Sequence, residues 1–259
     1  MAKLPAAKKH FGQHFLIDQT VIDRITQQEL EAIEVILEVG PGPGALTKNL
    51  LNRDLPFIVV ERDPGMQQGL NELLNEKQIL MGDALKLDRS DFPEEFQEKN
   101  LWFVSNLPYN TGVPIMRKFM EWENLQKMTV MLQKEVAEKI IGASESSSIA
   151  CLMNNYFAVE KLCLVKPGSF RPPPKVDSMV INLQRRSNPA VAWNDLLGFE
   201  SFLRCTFQFR RKQIVKNLST GFSESKIRHA LQLAGLTPQV RAHALEQNQL
   251  VALFKALKD

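Results

Sequence analysis

The stretch from Ile33 to Leu51 restricts the fold more than any other. Ile33 to Val39 is an apolar run rich in β-branched residues, the pattern of a strand buried on both faces. Gly40-Pro41-Gly42-Pro43-Gly44 follows at once, and Ala45-Leu46-Thr47-Lys48-Asn49-Leu50-Leu51 then reads as a helix. Strand, glycine loop and helix open a nucleotide-binding βαβ unit. The glycines let the backbone turn tightly and come close to a ligand. The next β-branched run, Phe57-Ile58-Val59-Val60, ends in Glu61. An acid about 20 residues beyond the first glycine is placed to bind a pair of ribose hydroxyls.

Two further strands end in polar groups. Gln78 to Ala84 carries Asp83, suited to accept from an adenine amino group, and Leu101 to Ser105 runs into Asn106. Glu38, Glu61, Asp83 and Asn106 thus fall at four successive strand ends. In an open parallel sheet, ligands bind outside the carboxyl ends of the strands. A nicotinamide dinucleotide is one candidate, but the spacing here is GxGxG, and the dinucleotide fingerprint places its third glycine one residue further on. Glu38 adds a second acid at the strand mouth. That charge is awkward beside a pyrophosphate and suits a ligand with a cationic amino-acid end, such as S-adenosylmethionine.

Asn106-Leu107-Pro108-Tyr109 has two readings. Pro108 lacks a ladder donor, so a plain strand-ending turn accounts for it. Alternatively, the Asn106 oxygen and the Pro108 carbonyl accept from a planar amino-bearing base, with the Tyr109 ring stacked on it. Further on, Met128 to Leu132 predicts a strand, Lys134 to Ile141 and Ile149 to Phe157 predict helices, and Leu162 to Val165 and Met179 to Leu183 predict closing strands. Phe170 to Lys175 lies between those two strands and reads as a stiff proline-rich spacer or as a pocket wall. At the start, Lys8 to Leu16 mixes cations with Phe11 and Phe15, and Asp18 precedes the helical spacing of Val21, Ile22 and Ile25. This arm is expected to pack on the body and to lie across a ligand.

The strand pattern stops near Arg185-Arg186-Ser187-Asn188-Pro189, which predicts one domain over 1–188 and a small helical one over 189–259. Charge divides the same way. From residue 185 on there are twelve cations and five acids, +7, against +3 for the whole chain. Arg210, Arg211, Lys212 and Lys216 are either a solvated face or a contact for RNA phosphates, and the asymmetry favours RNA.

Taken in order, Gln13-His14-Phe15-Leu16, Glu38 to Gly44, Glu61, Gly82-Asp83-Ala84, Asn106 to Tyr109 and Pro172-Pro-Pro-Lys-Val-Asp-Ser178 resemble the ribosomal RNA adenine N6,N6-dimethyltransferase family, most of all its bacterial small-subunit branch. The resemblance covers nearly the whole chain. It implies an α/β fold, with a Rossmann-like class I S-adenosylmethionine methyltransferase sheet carrying helices on both faces and a small all-helical C-terminal domain. It implies cofactor contacts from His14, Leu16, Gly40, Gly42, Glu61, Asp83 and Asn106. Asn106, Pro108 and Tyr109 would face the target adenine, with Phe170 as a second aromatic. The implied substrate is a pair of adjacent adenines in a hairpin loop near the 3′ end of small-subunit rRNA, within the (pre-)30S subunit. The chain departs from the family in Asn110-Thr111-Gly112-Val113-Pro114 and in Ser146-Ser147-Ser148. The competing readings are a large-subunit methyltransferase of the macrolide-resistance type, a DNA adenine methyltransferase, and a ribosome assembly factor with little catalysis.

Composition limits the rest. No apolar run is long enough to span a bilayer, and the lysine-bearing start has no apolar segment of a secretory signal. Cys151, Cys163 and Cys205 form no CxxC pair. The expectation is a cytoplasmic protein without a metal or a disulfide framework; that it is a monomer is implied by the family resemblance alone.

Overall fold

The computed structural model describes residues 4–8, 11–142, 146–209 and 211–258. They fall into two compact units, one of 1–137 with 160–184 and the other of 138–159 with 185–259.

In chain order the elements are β1 (Phe15–Leu16), α1 (Gln19–Thr26), β2 (Val35–Val39), α2 (Thr47–Leu50), β3 (Phe57–Glu61), α3 (Gln67–Asn71), β4 (Ile79–Met81), α4 (Glu94–Glu98), β5 (Leu101–Asn106), α5 (Gly112–Phe119), β6 (Leu125–Gln133), α6 (Lys134–Ile140), α7 (Ser148–Tyr156), β7 (Phe157–Val165), β8 (Phe170–Arg171), β9 (Ser178–Arg185), α8 (Leu196–Phe207), α9 (Ile214–Leu218), α10 (Glu224–Leu233) and α11 (Gln247–Lys258). Seven strands form one sheet in the order β4-β3-β2-β5-β6-β9-β7. The first five are mutually parallel and β9 runs antiparallel to β6.

Strand β2 lies inside this sheet, and all five of its residues are buried. That burial is why its sequence is a continuous apolar run broken only by Glu38. A buried polar rung crosses the sheet. Trp102 donates to Thr129 Oγ1 at 2.9 Å, and the Thr129 hydroxyl donates to Asn182 Oδ1 at 2.8 Å. Each group is satisfied, as buried polar atoms must be. Helix α1 starts where Asp18 accepts from the Thr20 and Val21 amides. It buries Val21, Ile22 and Ile25, as their spacing predicts.

Local pattern does not disclose every element. Phe15–Leu16 and Phe170–Arg171 pair as a separate two-stranded antiparallel sheet, with Leu16 opposite Phe170. The helix expected to reach Phe157 ends at Tyr156, and the strand expected over 162–165 already starts at Phe157. That strand is the outermost in the sheet. Glu160 and Lys161, which point to opposite faces, are both exposed at this edge and hide the strand from an apolar search.

The second unit is built on helices. Phe199 packs on Phe254 at 5.1 Å between ring centroids, and Phe202 packs on Phe254 at 5.6 Å. The division expected after residue 188 misses the segment 138–159, which belongs to this unit. Helix α7 packs on α8 and α11. Asn155 exchanges two hydrogen bonds with the Val191 backbone, each 3.0 Å, and the Tyr156 ring lies 4.4 Å from Trp193. A cut made along the sequence cannot register such long-range partners.

Candidate functional site

Four strand ends meet at one cavity in the first unit. Glu38 comes from β2, Glu61 ends β3, Asp83 lies two residues past β4 and Asn106 ends β5; all four line the cavity. His14, Leu16, Gly40, Gly42, Pro108 and Tyr109 line it too. Phe170 does not.

The glycine loop is shaped by conformations that side chains disfavour. Gly40, Gly42 and Gly44 have φ of +71°, +54° and +81°, the left-handed region that glycine enters without steric penalty. A Cβ on Gly44 would lie 2.6 Å from Leu73 Cδ1, whereas one on Gly40 would meet nothing within 4 Å. The loop is fastened by Glu61. Its Oε2 accepts from the Gly42 amide at 3.0 Å and its Oε1 accepts from the Asp63 amide at 2.7 Å. Burial raises the Glu61 pKa, and these amide bonds oppose the rise without cancelling it. A carboxylate offers about four acceptor positions, so its oxygens keep room for a ligand.

Burial works against the second negative charge expected of Glu38. It is 1% exposed, and the Thr47 hydroxyl donates to its Oε2 at 2.7 Å. Burial pushes its pKa up to about 8, with nearby Glu61 adding to the rise. Burial therefore favours the neutral carboxyl. The native state then holds a proton that the unfolded state has released above pH 4.5, so stability falls as pH rises through about 8. Urea unfolding from pH 5 to 9 is expected to show a loss in the wild type that Glu38→Gln lacks, the two differing by up to about 4 kcal/mol. Parallel stability curves would show that Glu38 is ionised throughout.

The Asn106 amide nitrogen donates to the His14 carbonyl at 3.1 Å. Only that nitrogen can face a carbonyl, so Oδ1 is left as the acceptor. The Pro108 carbonyl is not free, contrary to expectation. It accepts from the Thr111 amide at 3.2 Å and the Gly112 amide at 2.8 Å, which uses both lone pairs at the start of α5. The preceding carbonyl, of Leu107, accepts no hydrogen bond from the described residues, and Leu107 lines the cavity. Tyr109 is half-buried. Its hydroxyl is 2.6 Å from Ser178 Oγ, and its ring stacks on His14 at 5.7 Å and 25°. His14 Nδ1 lies 2.8 Å from the Pro172 carbonyl.

Phe170 departs from its expected place as a second aromatic wall. It is 1% exposed and packs in the core cluster with Phe15 and Leu16. Burial of a large ring stabilises a fold by more than an exposed stacking position does.

Two residues of the turn after β3, Arg62 and Asp63, carry more than the motif foretells. Arg62 lines the cavity and pairs with Asp83 at 3.5 Å, its guanidinium 5.7 Å from the Phe11 ring centre. Asp83 Oδ1 also accepts from the Leu85 amide. Asp63 is buried against Lys8 and Gln13. The available signal is the Glu-Arg-Asp sequence at a strand end, of which the ribose-binding pattern uses only the first residue.

In the second unit, Arg211, Lys212 and Lys216 are exposed, and Arg210 lies outside the described residues. The Lys212 ammonium sits 4.0 Å over the ring of Phe209, itself 44% exposed. Asn217 donates to the carbonyls of Thr206 and Phe209 and so pins the turn leading into this segment.

Known proteins resemble this chain along nearly its whole length. A protein named ribosomal RNA small subunit methyltransferase A from Mycoplasmopsis pulmonis (strain UAB CTIP) is 35% identical over 258 residues, covering 97% of this chain and 99% of that one. A protein of the same name from Bdellovibrio bacteriovorus is 36% identical over 265 residues, covering 96% and 92%. Among solved structures, the 23S rRNA methyltransferase ErmE matches with a TM-score of 0.72 at 27% identity, covering 95% of this chain and 100% of that one. A dimethyladenosine transferase from Plasmodium falciparum matches with a TM-score of 0.67 at 24% identity and covers 93% and 96%, a likeness of fold. The sequence model of the family described as ribosomal RNA adenine dimethylase matches residues 5–259. The chain belongs to the ribosomal RNA adenine dimethylase family.

Proposed function

We propose that this protein dimethylates N6 of two adjacent adenines in a hairpin loop near the 3′ end of small-subunit rRNA. The proposed setting is the cytoplasm, with the protein acting as a monomer on the small subunit or its precursor. The carrying observation is Asn106. Its amide nitrogen is committed to the His14 carbonyl, which leaves Oδ1 to accept in the cavity shared with Glu61, Asp83 and the glycine loop. Two relatives named for the small subunit, at 35% and 36% identity, favour that substrate over the one in the name of the 27% identical ErmE.

The family's cofactor is S-adenosylmethionine, and the cavity fits it. Glu61 keeps acceptor positions for ribose hydroxyls, Asp83 can accept from an adenine amino group, and the backbone at Gly40 stands open where a Cβ would project. His14, Leu16, Gly42 and Asn106 complete the proposed contacts. When bound, S-adenosylmethionine supplies an electrophilic methyl on a sulfonium. The chain's own work is to hold the base. Adenine N6 is a poor nucleophile because its lone pair is delocalised into the ring. Asn106 Oδ1 and the Leu107 carbonyl accept its N–H bonds and favour a pyramidal nitrogen with a localised lone pair. Such positioning can lower a barrier by roughly 7–11 kcal/mol. Unstacking the base costs a few kcal/mol, and stacking on Tyr109 offsets about 1–3 of them.

The basic segment of the second unit is proposed to contact RNA phosphates through Arg210, Arg211, Lys212 and Lys216. Removing one cation that neutralises a phosphate should lower the salt slope of binding by roughly 0.9. Arg211→Glu/Lys212→Glu is expected to weaken small-subunit rRNA binding and reduce that slope by about 2. Wild-type affinity and slope in this variant would remove the segment from the interface. The substrate is tested with small and large ribosomal subunits lacking the modification. Label from tritiated S-adenosylmethionine should enter the small subunit. Label confined to the large subunit would support the macrolide-resistance reading instead, and label on neither the assembly-factor reading.

A further inference from the structure

Asp63 is buried to 1% exposure, and groups distant in sequence converge on it. Lys8 Nζ donates to Oδ1 at 2.5 Å and Gln13 Nε2 donates to Oδ2 at 2.7 Å. The Gly65 amide adds a third bond, 2.9 Å to Oδ1. Gln13 Oε1 in turn accepts from the Lys8 amide at 2.8 Å, which closes the ring. Burial alone would raise the Asp63 pKa, but these bonds hold it below the ordinary carboxylate value. A buried charge needs such partners, because breaking one side leaves the other uncompensated.

The position of Asp63 gives this cluster a consequence for the cavity. Residues 11–16 of the arm line the cavity, while Lys8 and Asp63 do not. The turn 61–63 ties three walls together: Glu61 holds Gly42, Arg62 holds Asp83, and Asp63 holds the arm. The Asp63 amide is itself bound to Glu61 Oε1, so arm and glycine loop share one anchor. The latch is asymmetric, since the Lys8 side chain is 42% exposed and that of Asp63 1%. Its outer half can be exchanged for water while its inner half stays fixed.

We propose that Asp63 is a positioning residue that latches the N-terminal arm over the cofactor cavity through Lys8 and Gln13, and that release of this latch sets the rate of cofactor exchange. The inference rests on the methyltransferase reading above. Two methyls on one nitrogen require the spent cofactor to leave and a fresh one to enter, so an arm that walls the cavity must open between transfers.

The test uses the full chain with S-adenosylmethionine as probe. Lys8→Met keeps the apolar stem and removes the charge; Asp63→Asn removes the partner. Each is expected to raise the cofactor off-rate and weaken affinity by about tenfold. The double variant is expected to be no worse than the weaker single one. Turnover at saturating cofactor should stay within about twofold of wild type. Under limiting cofactor, monomethyladenosine should accumulate relative to dimethyladenosine. Neither residue lines the cavity, so these changes report the latch and not a missing ligand contact. Lys8→Met decides alone if Asp63→Asn fails to fold. A Lys8→Met off-rate equal to wild type, in a wild type that binds cofactor, would overturn the latch only. A wild type that binds no S-adenosylmethionine would overturn the functional reading and the latch with it.

Discussion

Asn106→Ala is expected to lower methyl transfer by about 10²–10³-fold, the usual loss when one preorganised hydrogen-bonding group is removed from a reacting centre. Alanine deletes the Oδ1 acceptor and the bond from Nδ2 to the His14 carbonyl. The fold should survive, because Asn106 is the last and only partly buried residue of β5. Single-turnover transfer with bound cofactor should show the loss in the chemical step. Asn106→Asp is the sharper variant. It keeps an acceptor but sets a carboxylate oxygen about where Nδ2 met the His14 carbonyl. Two acceptors then face each other, so this variant is also expected to fail, with the arm loosened at His14. Near-normal transfer by either variant would remove Asn106 from the account.

Glu61→Ala carries the second large effect, on cofactor affinity. The carboxylate holds the Gly42 and Asp63 amides at 3.0 and 2.7 Å and is 5% exposed. Alanine orphans both donors and removes the ribose acceptor. Ribose hydroxyl bonds to a charged acceptor are worth about 1.5–3 kcal/mol each, so losing two of them should raise the Kd for S-adenosylmethionine at least about 10²-fold. Glu61→Gln should also be impaired, since its NH2 would confront one of the two amides. Calorimetric titration measures both. A Kd for Glu61→Ala within about threefold of wild type, less than 1 kcal/mol, would show that the cofactor is held elsewhere.

The parts of this site that the sequence discloses are those set by local pattern. Glu38, Glu61, Asp83 and Asn106 stand out because each interrupts or ends a buried apolar run, and a parallel sheet brings such ends together. The glycine loop is legible because its positive φ angles call for glycine. The illegible parts depend on partners far along the chain. The pairing of Leu16 with Phe170 joins residues with no shared pattern, so Phe170 looks like a free aromatic in the sequence. The Pro108 carbonyl looks free because the turn that uses it, through Thr111 and Gly112, is set by the start of α5. The charge of Glu38 depends on its depth, which composition does not reveal. Asp63 escapes a local reading because Lys8 and Gln13 stand 55 and 50 residues away.

This cavity is proposed to hold adenine N6 against a methyl donor. The most direct test is nucleoside analysis of small-subunit rRNA after incubation with the protein and S-adenosylmethionine. The wild type is expected to yield N6,N6-dimethyladenosine, and Asn106→Ala a loss of about 10²–10³-fold. Methyl groups recovered on a ribose oxygen, a ring nitrogen or a base other than adenine would contradict it.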